Sequence, residues 1–294
     1  TVHRTFSKGN TVNDATLNKL KSWIGRSITL HSDLPVFSAQ ALAGAINHTE
    51  APDTGNPLPL PWHWLYFLDP TQRDSTGEDG HPRKGGFLPP VPLPRRMWAA
   101  GALEIAQPLV LGLATEKVSS ITSVEAKNGR SGPLVFVNLR HELSQRGNLC
   151  IIEEQNLVYR EAPQERTELP PGESPAEKPA FSREVTPDPV LLFRYSALTY
   201  NSHRIHYDRE YAVNAELYPA LVVHGPLLAT LLLDLVYENF PGARISRFKF
   251  RAVRPTFDSH PFALCGRRSG NQLLLWSEDH EGYLCMKAEA TIAL

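Results

Sequence analysis

The segment Tyr195–Asp208 concentrates reactive side chains in one short stretch: the amide of Asn201, the imidazoles of His203 and His206, the guanidinium of Arg204 and the carboxylate of Asp208. Imidazoles exchange protons near neutral pH because their unperturbed pKa is about 6.5. A polar loop of this make-up suits proton transfer to or from a small bound molecule. Further along, Val222-Val223-His224-Gly225-Pro226 opens a long apolar run. A helix starting there would offer free N–H groups and a positive dipole end to a developing negative charge. Gly225 would permit close approach and contribute its N–H, whereas Pro226 has none to give.

Two kinds of element must hold these groups. Leu227, Leu228, Leu231, Leu232, Leu235 and Val236 recur at helical spacing and make one broad apolar face. Pro226 suits the first turn and Pro241-Gly242 stops the helix. With only Asp234, Tyr237, Glu238 and Asn239 plainly polar, this helix should be buried on most sides.

The second element is a repeat. Arg130-Ser131-Gly132, Leu134–Val137, His141-Glu142 and Gly147-x-Leu149-Cys150 recur as Arg268-Ser269-Gly270, Leu273–Trp276, His280-Glu281 and Gly282-x-Leu284-Cys285. Each series follows an apolar run ending in proline, Leu103–Pro108 and Phe250–Pro255. Turn signals between β-branched, aromatic and leucine runs read as antiparallel meanders, so the chain looks duplicated. A buried helix wrapped by a curled antiparallel sheet is the hotdog arrangement. The expected fold is therefore α+β, a double hotdog. In the first half, Val36–Ile46, with Ser38 near its start, is the candidate equivalent helix. Residues 161–189 are rich in Pro and Glu and should be an extended linker. The expected division is an N-terminal unit (1–160), this linker (161–189) and a C-terminal unit (190–294) carrying the catalytic loop.

Composition excludes several classes. Lys and Arg number 30 against 31 Asp and Glu in 294 residues, so the net charge is -1, with no basic tract for nucleic acid or an anionic membrane. The uncharged run Leu217–Leu233 holds Pro219, Gly225 and Pro226 and falls short of the ~20 residues of a membrane span. Cys150, Cys265 and Cys285 are widely spaced, which fits neither a disulfide scaffold nor zinc and suits a reducing compartment. No apolar signal core is visible from Thr1 onward, so a cytoplasmic protein is expected. No nucleotide-binding glycine pattern or metalloprotease motif occurs, and no metal or redox cofactor is expected.

Asn201-x-His203-x-Ile205-His206-Tyr207-Asp208 followed by Val223-His224-Gly225 resembles the signature of MaoC-like, R-specific enoyl-CoA hydratases. The likeness is greater to the branch containing mesaconyl-C4-CoA and itaconyl-CoA hydratases and mitochondrial hydroxyacyl-thioester dehydratases. Pro61-Trp62-His63-Trp64 and Gly85–Trp98, with Arg95-Arg96, carry it through the first half. The resemblance implies a hydro-lyase acting on a short, C5 dicarboxylyl enoyl-CoA, with coenzyme A entering as part of the substrate and no separate cofactor. It implies His206 as general base, Gly225 N–H as oxyanion donor, and a carboxylate at position 201. That carboxylate is replaced by Asn201, which cannot take a proton and would instead orient water. Asp208 is an alternative source of the missing carboxylate. Arg204, His203, His224, Arg95 and Arg96 are candidate substrate-binding residues. Two other readings stay open: a dehydratase of hydroxyacyl groups on acyl carrier protein, and a non-catalytic acyl-CoA-binding subunit. Monomer and homodimer are both compatible with a duplicated chain.

Overall fold

The computed structural model describes residues 12–48, 50–129, 132–166 and 169–293. In chain order the elements are α1 (Asp14–Lys21), β1 (Ser27–Ser32), α2 (Val36–Ala45), β2 (Arg95–Ile105), β3 (Thr115–Gly129), β4 (Gly132–Gln145), β5 (Asn148–Arg160), β6 (Phe181–Val185), α3 (Pro189–Leu198), α4 (Arg209–Asn214), α5 (Gly225–Asn239), β7 (Arg244–Ala252), β8 (Phe262–Ser269), β9 (Gln272–Glu278) and β10 (Leu284–Ala293). One antiparallel sheet runs β1-β3-β4-β5-β2-β7-β10-β9-β8-β6. Its midline is the β2–β7 pair, in register from Ala100 opposite Arg251 to Glu104 opposite Arg247. Read outward from that seam, both sides have the same strand order, so the repeat is a two-fold relation about β2 and β7. This is the double hotdog, and no helix in the described residues is long and apolar enough to cross a membrane.

The duplication reaches further than the sequence match. β1 and β6 are the two outer strands, each paired to the first long strand of its meander, and each is followed by a helix. Two expectations are corrected by this. The segment 161–189 is not linker throughout: Phe181–Val185 is an edge strand of the second unit, and Asp188 caps α3, accepting a hydrogen bond from Leu191 N–H with Pro189 in the first turn. Proline-rich composition concealed a strand short enough to be set by pairing rather than propensity. The helix expected over Val36–Ile46 exists as α2, but its counterpart by order is α3 rather than α5. Arg130 and Ser131 of the repeat lie outside the described residues.

α5 is the core of the second unit. Leu227 through Val236 are all buried, and the helix packs on β6, β8, β9 and β10. Asp234, also buried, is bound by His48 Nδ1 at 2.7 Å and by the Arg183 guanidinium at 2.9 Å, which ties α5 to the chain after α2 and to β6. A buried carboxylate needs such partners, because an unpaired one costs several kcal/mol. Among the described residues the first unit has no helix in the corresponding place. The chain from 50 to 94 is irregular there, with short 3-10 turns at Trp62–Leu65 and Arg73–Ser75. The concave face of β3, β4 and β5 is left bordering a cavity of about 1130 Å³ lined by both units.

Candidate active site

The loop from α3 to α4 is shaped by its own backbone. Asn201 N–H bonds back to Ser196 O at 2.8 Å, and the Asn201 Oδ1 accepts from His203 N–H at 3.1 Å. That second bond is an Asx turn, in which the side chain serves the loop as well as facing the cavity. A 3-10 turn, Arg204–His206, then delivers His206 inward. Its Nδ1 lies 2.7 Å from Val222 O. A carbonyl only accepts, so Nδ1 carries the hydrogen and Nε2 keeps a lone pair. Nε2 has no protein partner among the described residues, and His206 lines the cavity. Burial pulls its pKa down to about 4, against the raising effect of the Val222 bond. A neutral imidazole with one nitrogen locked and the other open is a base ready to accept a proton.

The start of α5 meets the same cavity. Gly225 lines it, and as the first helical residue its N–H has no intrahelical acceptor. A Cβ there would meet only Trp98 O, at 3.9 Å. The protein itself thus leaves space at Gly225, and any crowding would come from a bound ligand.

The other expected site residues separate into two groups. His203 and Arg96 line the cavity. Arg95 lines it too, but its guanidinium is engaged by the Glu216 carboxylate at 2.5 Å and by the Glu216 carbonyl, and it lies over the Tyr218 ring. Two expectations fail. His224 is fully buried, bonded through Nε2 to Ser196 Oγ at 2.8 Å and stacked on His206 at 3.8 Å between ring centroids. It backs His206 and does not line the cavity; burial holds its pKa well below the ordinary value. Arg204 also turns away, with Nε and Nη2 on Asp208 at 3.0 and 2.7 Å, Nη1 on Glu78 O at 3.1 Å, and its plane over Tyr211. Asp208 is spent on Arg204 and on capping α4, so it is no substitute for a carboxylate at position 201. The alternating cations of β7 face outward as a solvated surface, Arg247 pairing with Glu104 at 3.1 Å.

Several groups come to the cavity that the sequence did not single out. From the loop before β2, Asp79 and His81 reach it beside His203, the His81 and His203 rings 4.1 Å apart. Asp79, His81 and His203 are the one group among the described residues with metal-type donor atoms within 4.8 Å of one another. Asp79 is already bonded to both the N–H and the Nδ1 of His81, and burial, with the Arg96 charge adding to it, lowers the pKa of both neighbouring imidazoles. A second cation would be opposed there, so the cluster is better read as a hydrogen-bonded one. From the first unit's sheet come Lys117, Ser119, His141, Glu153 and Gln155. Burial would push Glu153 up, yet the bond from His63 Nε2 at 3.0 Å and the charges of His63, His141 and Lys117 bring its pKa down to about 2, and Trp64 Nε1–H bonds its other oxygen at 2.9 Å. The strand alternation Val135, Val137, Leu139, His141 had already put His141 on the buried face, a signal that could have found this group.

Residues 61–258 match the hydroxyacyl-thioester dehydratase type 2 family. The chain is 42% identical over 268 residues to mesaconyl-C4-CoA hydratase of Chloroflexus aurantiacus, covering 91% of this chain and 95% of that one. Among solved structures it resembles a MaoC-like dehydratase from Phytophthora capsici, with TM-score 0.68 and 14% identity over 94% of this chain and 98% of that one. It also resembles a Mycobacterium tuberculosis protein with a double hotdog fold, with TM-score 0.55 and 11% identity over 92% and 96% of the two chains. At such identities these structures speak to fold alone.

Proposed function

The chain belongs to the hydroxyacyl-thioester dehydratase type 2 family, and from that premise we propose an acyl-CoA hydratase that adds water across the conjugated double bond of a short enoyl-CoA. The substrate class we propose is a C5 dicarboxylyl thioester such as mesaconyl-C4-CoA, hydrated to citramalyl-CoA; itaconyl-CoA, whose double bond lies one carbon farther from the thioester, would enter the same step only after that bond shifts into conjugation. One observation carries the reading: His206, its Nδ1 bonded to Val222 O, offers a bare Nε2 to the cavity that also meets the start of α5.

In this reading His206 Nε2 takes a proton from water as the oxygen bonds to the β-carbon. The electron pair of the double bond moves toward the thioester carbonyl, whose oxygen gains negative charge. Gly225 N–H and the positive end of α5 stabilise that charge. His206 returns the proton to the α-carbon, and the enzyme is restored. Dehydration of a hydroxyacyl thioester is the same path reversed, which accommodates the family's name.

The free carboxylate of a C5 ester calls for a cation beside the reacting carbons. Arg204 and Arg95 are engaged elsewhere, whereas Arg96 lines the cavity and forms no ion pair with a carboxylate among the described residues. Arg96 is therefore the partner we assign to that carboxylate. The three cysteines are free and buried, in keeping with a reducing, cytoplasmic setting. The test is loss of conjugated-thioester absorbance with mesaconyl-C4-CoA and crotonyl-CoA. Wild-type hydration of the C5 ester, abolished in His206→Ala, supports the proposal; no hydration of either ester by wild type overturns it. An Arg96→Met variant that keeps the wild-type preference for the dicarboxylyl ester would remove Arg96 from the assignment.

A further inference from the structure

The hydration outlined above leaves one requirement unmet. Water has two hydrogens, and only one goes to His206. The second must be held if the oxygen is to point at the β-carbon, since positioning of this kind is worth orders of magnitude in rate. A carboxylate at position 201 would have held it with two oxygens; Asn201 has a single acceptor oxygen, and His203 N–H already takes one of its lone pairs.

The first unit brings another acceptor to the same cavity. Residues Glu78–His81 are attached to the catalytic loop at several points: Arg204 N–H to Asp79 O at 2.9 Å, Ser202 Oγ to Gly80 O at 2.6 Å, and Arg204 Nη1 to Glu78 O at 3.1 Å. Gly80 has φ +88°, and a Cβ there would stand 1.9 Å from Ser202 O, so the two backbones can meet this closely only with glycine. The attachment holds Asp79 and His81 at the cavity. Asp79 Oδ2 lies 3.1 Å from His81 Nδ1 and Asp79 Oδ1 3.0 Å from His81 N–H. Because a carboxylate accepts, Nδ1 carries the hydrogen and His81 Nε2 keeps its lone pair, with no protein partner among the described residues. The His81 ring is 4.1 Å from that of His203, which in turn is 5.4 Å from that of His206. His203 lines the cavity too, but no group among the described residues bonds its ring to choose a tautomer.

We propose that His81, oriented by Asp79, is the second water-binding residue of the reaction, accepting the hydrogen that His206 does not take. Through the reaction that hydrogen stays on the oxygen and becomes the hydrogen of the product hydroxyl; the other passes to His206 and then to the α-carbon. His81 neither gains nor loses a proton. The active site is then assembled from both units, and the first contributes a group that touches the reacting water. The inference rests on the hydratase reading.

Steady-state hydration by full-length His81→Ala, His81→Gln and Asp79→Asn, with thermal melting of each, tests it. We expect kcat to fall about 100-fold in His81→Ala with KM little changed, and at least about tenfold of that to return in His81→Gln, whose amide oxygen is again an acceptor. Asp79→Asn should fall between them. Wild-type kcat in His81→Ala overturns the proposal. So does an equal loss in His81→Ala and His81→Gln accompanied by a raised KM or a lowered melting temperature, which would mark a structural role. Wild type failing on every enoyl-CoA offered would instead overturn the hydratase reading itself.

Discussion

The two halves of the sheet have the same strand order and opposite interiors. In the second unit Leu264, Leu273, Leu275, Met286 and Ala288 are buried in the core built around α5. In the first, Lys117, Ser119, His141, Glu153 and Gln155 border a cavity instead. A duplicated scaffold can thus divide its labour. The unit that keeps its helix gains a rigid core and a helix start to aim at substrate, and the unit without one supplies the space. Polar side chains are tolerated in that space only where each finds a partner, as Glu153 does with His63 and Trp64.

The sharpest way to break this comparison is to treat the two units' buried imidazoles alike. Burial lowers both His206 and His141 to pKa values of about 4, helped at His141 by Lys117. Yet His141 has both nitrogens occupied, by Ser119 Oγ at 2.7 Å and Gln155 Oε1 at 3.1 Å, and so has no free lone pair to act as a base. His206→Ala should lower kcat by a factor of about 10² to 10⁴, with His141→Ala keeping most of it. Because a protonated His206 is no base, the rate should hold on the acid side of neutrality and fall only as pH drops toward about 4. Comparable kcat losses in the two variants would end the distinction.

Stability should divide the units next. Leu232 is fully buried in α5, and Leu232→Ala should cost about 2–5 kcal/mol in denaturant unfolding. A loss under 1 kcal/mol would mean that α5 is not the core it resembles.

In the first unit, Glu153→Gln should cost less, about 1–3 kcal/mol at neutral pH. The folded pKa of Glu153, about 2, lies below its ordinary 4.5, so its contribution is present above pH 4.5 and is withdrawn as pH falls toward 2. Melting curves of wild type and Glu153→Gln should converge over that interval; parallel curves would contradict the assignment.

The smallest effect is expected at Gly225→Ala. The methyl has room within the protein, so the melting temperature should be unchanged, and any loss should appear in turnover. A destabilised variant would show that the space at Gly225 serves packing rather than a ligand.

Several cavity-lining residues of the candidate site were legible because their signals are local. His206, Asn201 and Gly225 stand in two short segments, and the leucine spacing after Pro226 announced the helix that aims at them. Asp79 and His81 were not legible: they sit in a stretch whose glycines and prolines say only that the chain turns. His224 and Arg204 were misassigned for a related reason. A histidine at a helix start and an arginine in a polar loop have several possible partners, and sequence spacing does not say which is nearest. Arg204 met Asp208 one helical turn on, and His224 met Ser196 from α3.

What is periodic or repeated can be read from the chain alone. Hairpin words recurring in order meant two meanders, and an apolar helical face meant one buried helix, because both follow from interactions between near neighbours in the chain. Folding in three dimensions set what lies across from what. It decided that the first unit has a cavity in place of a helix, that Phe181–Val185 pairs as a strand, and that Asp79 and His81 stand beside His203. These depend on contacts between residues far apart in the chain, and no local pattern records them.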